Sequence, residues 1–251
     1  MNRLKGKLAL VTGASSGFGL ATARRLAADG VHLILWARRG GRLEQAAADL
    51  TMAHHVDVGV SVVDVRDRAA VNAAAAALVV AGRIPDILIN NAGLAAGLAT
   101  VQDGDPDDWD RMIDTNLKGL LNVTHALLPH MIARRKGHIV NIGSTAGYWV
   151  YPKGNVYNAT KFGVKALTEG LNLDLAGTPL RVSSVDPGMP RPSSRSCGFT
   201  ATRPGPRSST KASSRSAPMT WRMRSCTCST CPNRSTSSIS SSSPRRSATS
   251  T

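Results

Sequence analysis

Cysteine is absent from residues 1–189, and no acidic residue follows Asp186. The first absence excludes a disulfide framework for that part of the chain, in keeping with a reducing compartment. A membrane-spanning run is also lacking: the longest uncharged apolar stretch, residues 69–82, is mostly alanine and too short to cross a bilayer. The opening Met1-Asn2-Arg3-Leu4-Lys5 leads straight into a strand-like segment, with no long apolar leader and small-residue cleavage site. These absences predict a cytoplasmic protein with no membrane partner.

The missing acids change the meaning of the overall charge. Across 251 residues, 31 Lys and Arg stand against 16 Asp and Glu, a formal net charge of +15. Such a balance ordinarily suggests a nucleic acid or an anionic surface as partner. Residues 1–189, however, hold 20 basic and all 16 acidic residues, whereas residues 190–251 hold 11 basic residues, 19 serines and all four cysteines. The basicity belongs to the tail, and no nucleic-acid partner is expected for the remainder. The expected organisation is a single domain over 1–189, followed by a basic Ser/Arg/Pro-rich tail over 190–251 that reads as disordered and not native-looking.

Within 1–189, apolar β-branched runs alternate with helical periodicity. Residues 8–12, 31–37, 58–63, 87–90, 139–142 and 181–185 read as strands. Residues 18–28, around 43–50, 68–80, 109–134 and 156–175 read as helices. Continuous apolar strands separated by helices predict an α/β fold, a doubly wound parallel sheet covered on both faces.

The first motif is Thr12-Gly13-Ala14-Ser15-Ser16-Gly17-Phe18-Gly19, lying between the first strand and the first helix. Gly13 permits a tight turn, Gly17 lets backbone approach a pyrophosphate, and Gly19 allows close helix packing. The helix N-terminus then offers free N–H groups to phosphates. The second strand ends in Arg38-Arg39 with no carboxylate. Arginine there accommodates a ribose 2′-phosphate and favours NADP, although a solvated charge pair at a helix start reads the same way. Asp64-Val65 suits an adenine edge, and Asp64 alone also suits a loop cap.

Downstream stand Asn90-Asn91-Ala92-Gly93, Asn116, Ser144, Tyr157 and Lys161. Tyr157 and Lys161 are spaced i, i+4 and share a helix face. An ammonium beside a phenol favours the phenolate over a phenol whose ordinary pKa is about 10, making a proton donor or acceptor for neutral pH. Ser144 can hydrogen-bond a carbonyl oxygen.

Together, TGASSGFG, Asp64-Val65, NNAG, Asn116, Ser144, YNATK and Pro187-Gly188 resemble the short-chain dehydrogenase/reductase family over residues 7–189. The resemblance implies a Rossmann-type sheet and hydride transfer between a nicotinamide and a carbonyl or alcohol carbon. It assigns Tyr157 as general acid/base, Lys161 to the nicotinamide ribose and the activation of the tyrosine, and Ser144 to the substrate oxygen. Asn116 is implied to hold a relay water. Gly13, Ser15, Ser16, Gly17, Phe18, Gly19, Arg38, Arg39, Asp64, Val65, Asn91, Ala92, Gly93, Tyr157, Lys161, Pro187 and Gly188 are implied to hold the cofactor. A narrower resemblance is carried by ARRGGRLEQ, DVRDRAAV, DDWDRMIDTNLKGLL, GHIVNIGSTAGYWVYPKGNVYNATK and VDPGM. It is to NADP-dependent 3-hydroxy acid (serine-type) dehydrogenases, which act on small β-hydroxy acids such as serine or allo-threonine. Family likeness further implies a homo-oligomer, a dimer or tetramer, formed through the helices over 109–134 and 156–175.

No metal is expected. Asp103, Asp105, Asp107, Asp108 and Asp110 precede a long helix, whose N-terminus favours negative charge. His54 and His55 lack a partner cluster, and Cys226, Cys228 and Cys231 lack a fourth ligand.

The tail departs from the family pattern Pro-Gly-x-x-x-Thr-Glu-Phe at the first residue after Met189. Codons CCG-AGA-CCG-AGT-TCT-CGN for residues 190–195, read in the shifted frame, give Glu-Thr-Glu-Phe-Ser in register. The unique codons of Met219 and Trp221 permit an acidic opening to an amphipathic helix in that same frame. A lost nucleotide after Met189 accounts for the charge break and for both segments. The alternative takes the chain literally as a catalytically impaired NADP-binding protein.

Overall fold

In the computed structural model, which describes residues 3–188, six strands form one parallel sheet. They are β1 (Leu8–Thr12), β2 (His32–Ala37), β3 (Val58–Val62), β4 (Ile87–Asn90), β5 (His138–Ile142) and β6 (Arg181–Val185), in the spatial order β3-β2-β1-β4-β5-β6. The helices are α1 (Gly17–Ala28), α2 (Gly40–His54), α3 (Arg68–Val80), α4 (Pro106–Ile113), α5 (Leu120–Ala133) and α6 (Asn155–Asp174). This is the Rossmann-type arrangement expected from the alternation. The domain boundary at residue 189 and the tail over 190–251 lie outside the described residues.

The side-chain period of two distributes each strand between two cores. Ala9, Val11, Leu33, Leu35, Ile87 and Ile89 pack with Leu43 and Leu50 of α2 and Ala23 and Ala27 of α1. Leu10, Ile34, Trp36, Leu88 and Ile139 face the other way, against Val71 of α3 and Val123, Leu127 and Met131 of α5. Leu10 pairs in register with Ile34 on one side and Leu88 on the other, all fully buried or nearly so. Each such side chain contributes about 1.5–3 kcal/mol on burial, which is why these strands read as unbroken apolar runs.

Two elements differ from their sequence reading. Helix α2 reaches from Gly40 to His54, because packing of Leu43, Ala46 and Leu50 carries a glycine-opened helix past its weak propensity. The stretch over 109–134 is not one helix: α4 and α5 are joined by a π-helical segment, Asp114–Gly119. Asp105 caps α4 by accepting from the Asp107 N–H at 2.9 Å, so the acidic run opens a helix as anticipated. Among the described residues, no helix is long and apolar enough to cross a membrane.

A buried polar chain ties β4 and β5 to the second helical layer. Asn90 Nδ2 donates to Thr124 Oγ1 of α5 and to Asn141 Oδ1 of β5, both at 2.9 Å, and Asn141 Nδ2 donates to Thr168 Oγ1 of α6 at 2.9 Å. Asn141 is fully buried. Removing it strands a donor on Asn90 and takes away the donor to Thr168 Oγ1, whose hydroxyl keeps only its bond to the Val164 carbonyl at 2.7 Å. Asn141→Ala is therefore expected to lower the urea-unfolding free energy by roughly 2–4 kcal/mol, beyond the ordinary loss of one hydrogen bond.

Candidate active site

Many of the nominated residues lie just past the ends of strands, whereas Phe18 and Gly19 open α1, Asn116 lies between α4 and α5, and Tyr157 and Lys161 lie on α6. Gly13 follows β1, Arg38 and Arg39 follow β2, Asp64 follows β3, Asn91 follows β4, Ser144 follows β5, and Pro187 follows β6. In a parallel sheet these are the carboxyl ends, and β1 and β4 flank the point where strand order reverses, the usual crevice for ligands.

At that point the chain is knotted. Thr12 Oγ1 accepts from the N–H groups of Asn91 (3.0 Å) and Ala92 (2.9 Å), and Asn91 Nδ2 donates back to the Thr12 carbonyl at 2.8 Å. A Cβ on Gly19 would stand 2.5 Å from Asn91 Nδ2 and 2.6 Å from the Gly13 carbonyl oxygen, so only glycine lets α1 start so close to the loop after β4. Gly17, at φ +56°, faces open space. Ser16 precedes α1 without capping it through its side chain. The free amides of the helix start and the open glycine together form a cradle suited to a pyrophosphate.

Arg39 reaches back over this loop. Its Nη2 donates to Ser15 Oγ at 2.9 Å and to Ser16 Oγ at 2.6 Å, and its Nε to Ser15 Oγ at 3.2 Å. A guanidinium thus stands beside the cradle, while Arg38 is exposed. Asp64 behaves first as a loop cap: it accepts from the Arg66 backbone at 3.1 Å and pairs with the Arg66 guanidinium at 2.6 Å, which holds its carboxyl below the usual range. Val65 is buried, and its carbonyl accepts from Asn122 Nδ2 at 3.0 Å.

The proton-handling residues sit across β5 and α6. Tyr157 and Lys161 occupy the first two turns of α6, with Lys161 Nζ 5.8 Å from the Tyr157 ring centre. Lys161 Nζ donates to the Ile142 carbonyl at the end of β5, at 2.8 Å. Burial pushes its ammonium down from 10.5 to about 8, opposed by the Asp186 carboxylate. Ser144 Oγ accepts from the Ala146 N–H at 3.1 Å and donates weakly to the Pro187 carbonyl at 3.5 Å, linking the β5 and β6 ends. Asn116 lies in the π segment, almost fully buried. Its Oδ1 accepts from the Leu94 N–H, and its Nδ2 donates to the Leu94 carbonyl and to Thr160 Oγ1 of α6, all within 2.9–3.0 Å. Its side chain therefore fastens α6 to the loop after β4.

The glycine cradle, the arginine beside it and the Ser-Tyr-Lys grouping stand in the order in which the short chain dehydrogenase family model matches residues 7–196. The chain belongs to the short chain dehydrogenase family. Among curated relatives, it is 46% identical to the NADP-dependent 3-hydroxy acid dehydrogenase YdfG of Salmonella typhi, over 182 residues and 72% of each chain. It is 50% identical to sulfoacetaldehyde reductase 2 of Chromohalobacter salexigens, over 183 residues and again 72% of each. Among solved structures, a closed form of serine dehydrogenase complexed with NADP+ superposes with a TM-score of 0.68 at 44% identity, covering 72% of this chain and 71% of that one.

Sequence reasoning passed over several residues of this dehydrogenase site. Thr12 and Thr160 lie inside the quoted motifs, yet nothing in their spacing showed that their hydroxyls would carry the strand-end knot and the Asn116 contact. Asp186 accepts from Ser184 Oγ at 2.7 Å and from Tyr148 Oη at 3.3 Å, and its carboxylate acts on Lys161.

Lys161 gives the site a pH signature. Below about 8 the folded protein carries a buried ammonium at a cost; between 8 and 10.5 the unfolded chain holds the proton that the folded one has released, so stability rises. Without cofactor, the wild-type chain is expected to gain about 3 kcal/mol relative to Lys161→Met between pH 7 and 10.5, read by denaturant unfolding at each pH. Parallel curves for the two proteins would contradict that depression.

Proposed function

We propose that this short-chain dehydrogenase uses NADP to interconvert a small 3-hydroxy acid, such as serine or allo-threonine, and its carbonyl counterpart. The observation that carries the reading is the meeting of Tyr157 and Lys161 on α6 with the Ser144 loop, in a chain whose Arg39 closes over Ser15 and Ser16. The NADP preference rests on that guanidinium, placed where a 2′-phosphate is accommodated, and on the NADP-dependent relatives. The substrate class rests on the relatives alone.

When bound, the nicotinamide supplies the hydride acceptor for oxidation or the donor for reduction. Gly13, Gly17, Gly19 and the α1 amides would hold the pyrophosphate; Arg38 and Arg39 the 2′-phosphate; Asn91, Ala92 and Gly93 the middle of the cofactor; Lys161 the ribose; and Pro187 and Gly188 the nicotinamide end. In oxidation the substrate hydroxyl proton passes to Tyr157 Oη while Ser144 Oγ orients the oxygen; reduction reverses the transfer. Asn116 positions α6 through Leu94 and Thr160, and a relay water there would rest on its backbone carbonyl or on the remaining lone pair of Oδ1. The protein works in the cytoplasm, with neither a nucleic acid nor a membrane as partner, and assembles as a dimer or tetramer. Exposed Leu121 and Ile132 on α5, with Phe162 and Leu173 on α6, support assembly through those helices.

A reading-frame shift after Met189 supplies residues 190–251. Supporting this, the curated relatives match over 72% of both chains, which leaves more than a quarter of each outside the match. On the α1 side of the sheet, Ile142 and Val185 are paired in register, with Ile142 partly buried and Val185 half exposed. That bare edge is where the family's later segment would add cover, so the chain as translated is expected to turn over poorly.

Two experiments test the proposal. Reduced-nicotinamide absorbance with NADP+ and a 3-hydroxy acid panel should show turnover that Tyr157→Phe lowers at least about 100-fold, the range for a lost general acid/base. Arg39→Ala should raise the KM for NADP+ roughly 10–100-fold while leaving that for NAD+ unchanged, as expected for a lost charge-assisted contact. Sequencing the gene across the codons for residues 186–195 tests the frame. An extra base there means that the restored chain should outpace the translated one, whereas its absence removes the frame-shift account.

A further inference from the structure

Three non-glycine residues adopt left-handed backbone: His55, Arg135 and Lys153, at φ 55°, 52° and 65°. The first two have a local cause, since His55 terminates α2 and Arg135 follows the end of α5, where left-handed residues close helices. Lys153 has one too: it is the third residue of the turn Tyr151-Pro152-Lys153-Gly154, closed by the Gly154 N–H donating to the Tyr151 carbonyl at 3.2 Å, a position that takes positive φ when proline precedes it. What sets Lys153 apart is where that turn carries its side chain.

Lys153 lines a small cleft of about 40 Å³ that also exposes Tyr157, with Tyr151, Trp109 and Met112 in its wall. The cleft is held open by a fixed contact: Asn155 Nδ2 donates to the Ala99 carbonyl at 3.1 Å, pinning the loop after β4 to the head of α6. Two carboxylates share the lining, and both are engaged. Asp105 caps α4, and Asp108 pairs with Arg111 at 2.6 Å. Lys153 forms no hydrogen bond or ion pair among the described residues and is the one basic residue of the lining. Ser144 lies outside that lining, which joins Tyr157 to Lys153, the loop after β4 and the start of α4.

We propose that Lys153 is the specificity-determining residue of this site: its ammonium receives the terminal anionic group, a carboxylate or sulfonate, of a substrate whose reacting carbon lies at Tyr157. This deepens the oxidoreductase reading and rests on it for the position of the reacting carbon.

The test separates the inference from the reading beneath it. Calorimetric titration of 3-hydroxypropionate into the NADPH-saturated chain forms a complex in which both partners are reduced, so no turnover intervenes. Saturable binding is expected, weakened at least about tenfold in Lys153→Gln, the scale of one charge-assisted hydrogen bond. Methyl 3-hydroxypropionate, lacking the charge, should bind both proteins alike, and 2-hydroxyethanesulfonate should follow the carboxylate. Lys153→Gly should lose the acid in the same way while melting at a higher temperature, which separates a binding role from a structural one. Equal acid affinity in the wild-type and Lys153→Gln proteins, or no saturable acid binding by the wild type, overturns the assignment. Turnover of 3-hydroxy acids with kcat/KM unchanged in Lys153→Gln would also overturn it while leaving the oxidoreductase reading intact. Lysine-dependent acid binding with no turnover upholds the anion site and counts against that reading.

Discussion

The hydroxyl of Thr12 is the point on which the rest of the site depends. One buried oxygen receives two backbone N–H groups from the loop after β4, while the Asn91 side chain returns a hydrogen bond to the Thr12 carbonyl. The two loops that diverge at the reversal of strand order are thereby held as one unit. Gly13 and Gly19 then have no room for a β-carbon, because Asn91 occupies the space between them. The glycine pattern is thus a packing consequence of this knot as well as a means of approaching phosphate.

A second constraint sets the proton-handling side. Asn116 is inserted between the loop after β4 and α6, and satisfying its amide from Leu94 and Thr160 coincides with a π segment in an otherwise α-helical path. Such segments accommodate an extra residue per turn and recur at functional sites. The buried Asn90–Thr124 and Asn141–Thr168 contacts carry the same α5 and α6 to the sheet. Tyr157 and Lys161 are consequently mounted on a helix fixed at several depths, and Lys161 is aimed at the end of β5 by the Ile142 carbonyl. The desolvation of that ammonium follows from this aim, and the nearby Asp186 offsets part of it.

The edge of the sheet is less complete. Among the described residues β6 pairs only with β5, and Val185 leaves half its surface open beside Ile142. An uncovered edge with an apolar face is a liability for association. It falls where the sequence departs from the family pattern, immediately after Pro187-Gly188, and there the charge balance also breaks.

Much of this was legible in advance because it is local. β-Branched runs, glycine turns and an i, i+4 tyrosine–lysine pair depend on neighbours in the chain, so strand positions and the fold class could be read from order and spacing, whereas the full set of candidates from Gly13 to Gly188 came from the family resemblance. The Asp105 cap was legible for the same reason. Other features arise from contacts dozens of residues apart. The break between α4 and α5 depends on Asn116 meeting Leu94 and Thr160; the Arg39 clasp depends on Ser15 and Ser16, more than twenty positions away. The placement of Lys153 at the Tyr157 cleft required the cavity wall, which brings together the loop after β4, the start of α4 and the start of α6. The sequence alone determined which chemistry is present and in what order along the sheet. The tertiary structure decided which of those groups are saturated and which remain available, because hydrogen-bond partners and burial are set by distance in space and not by distance along the chain.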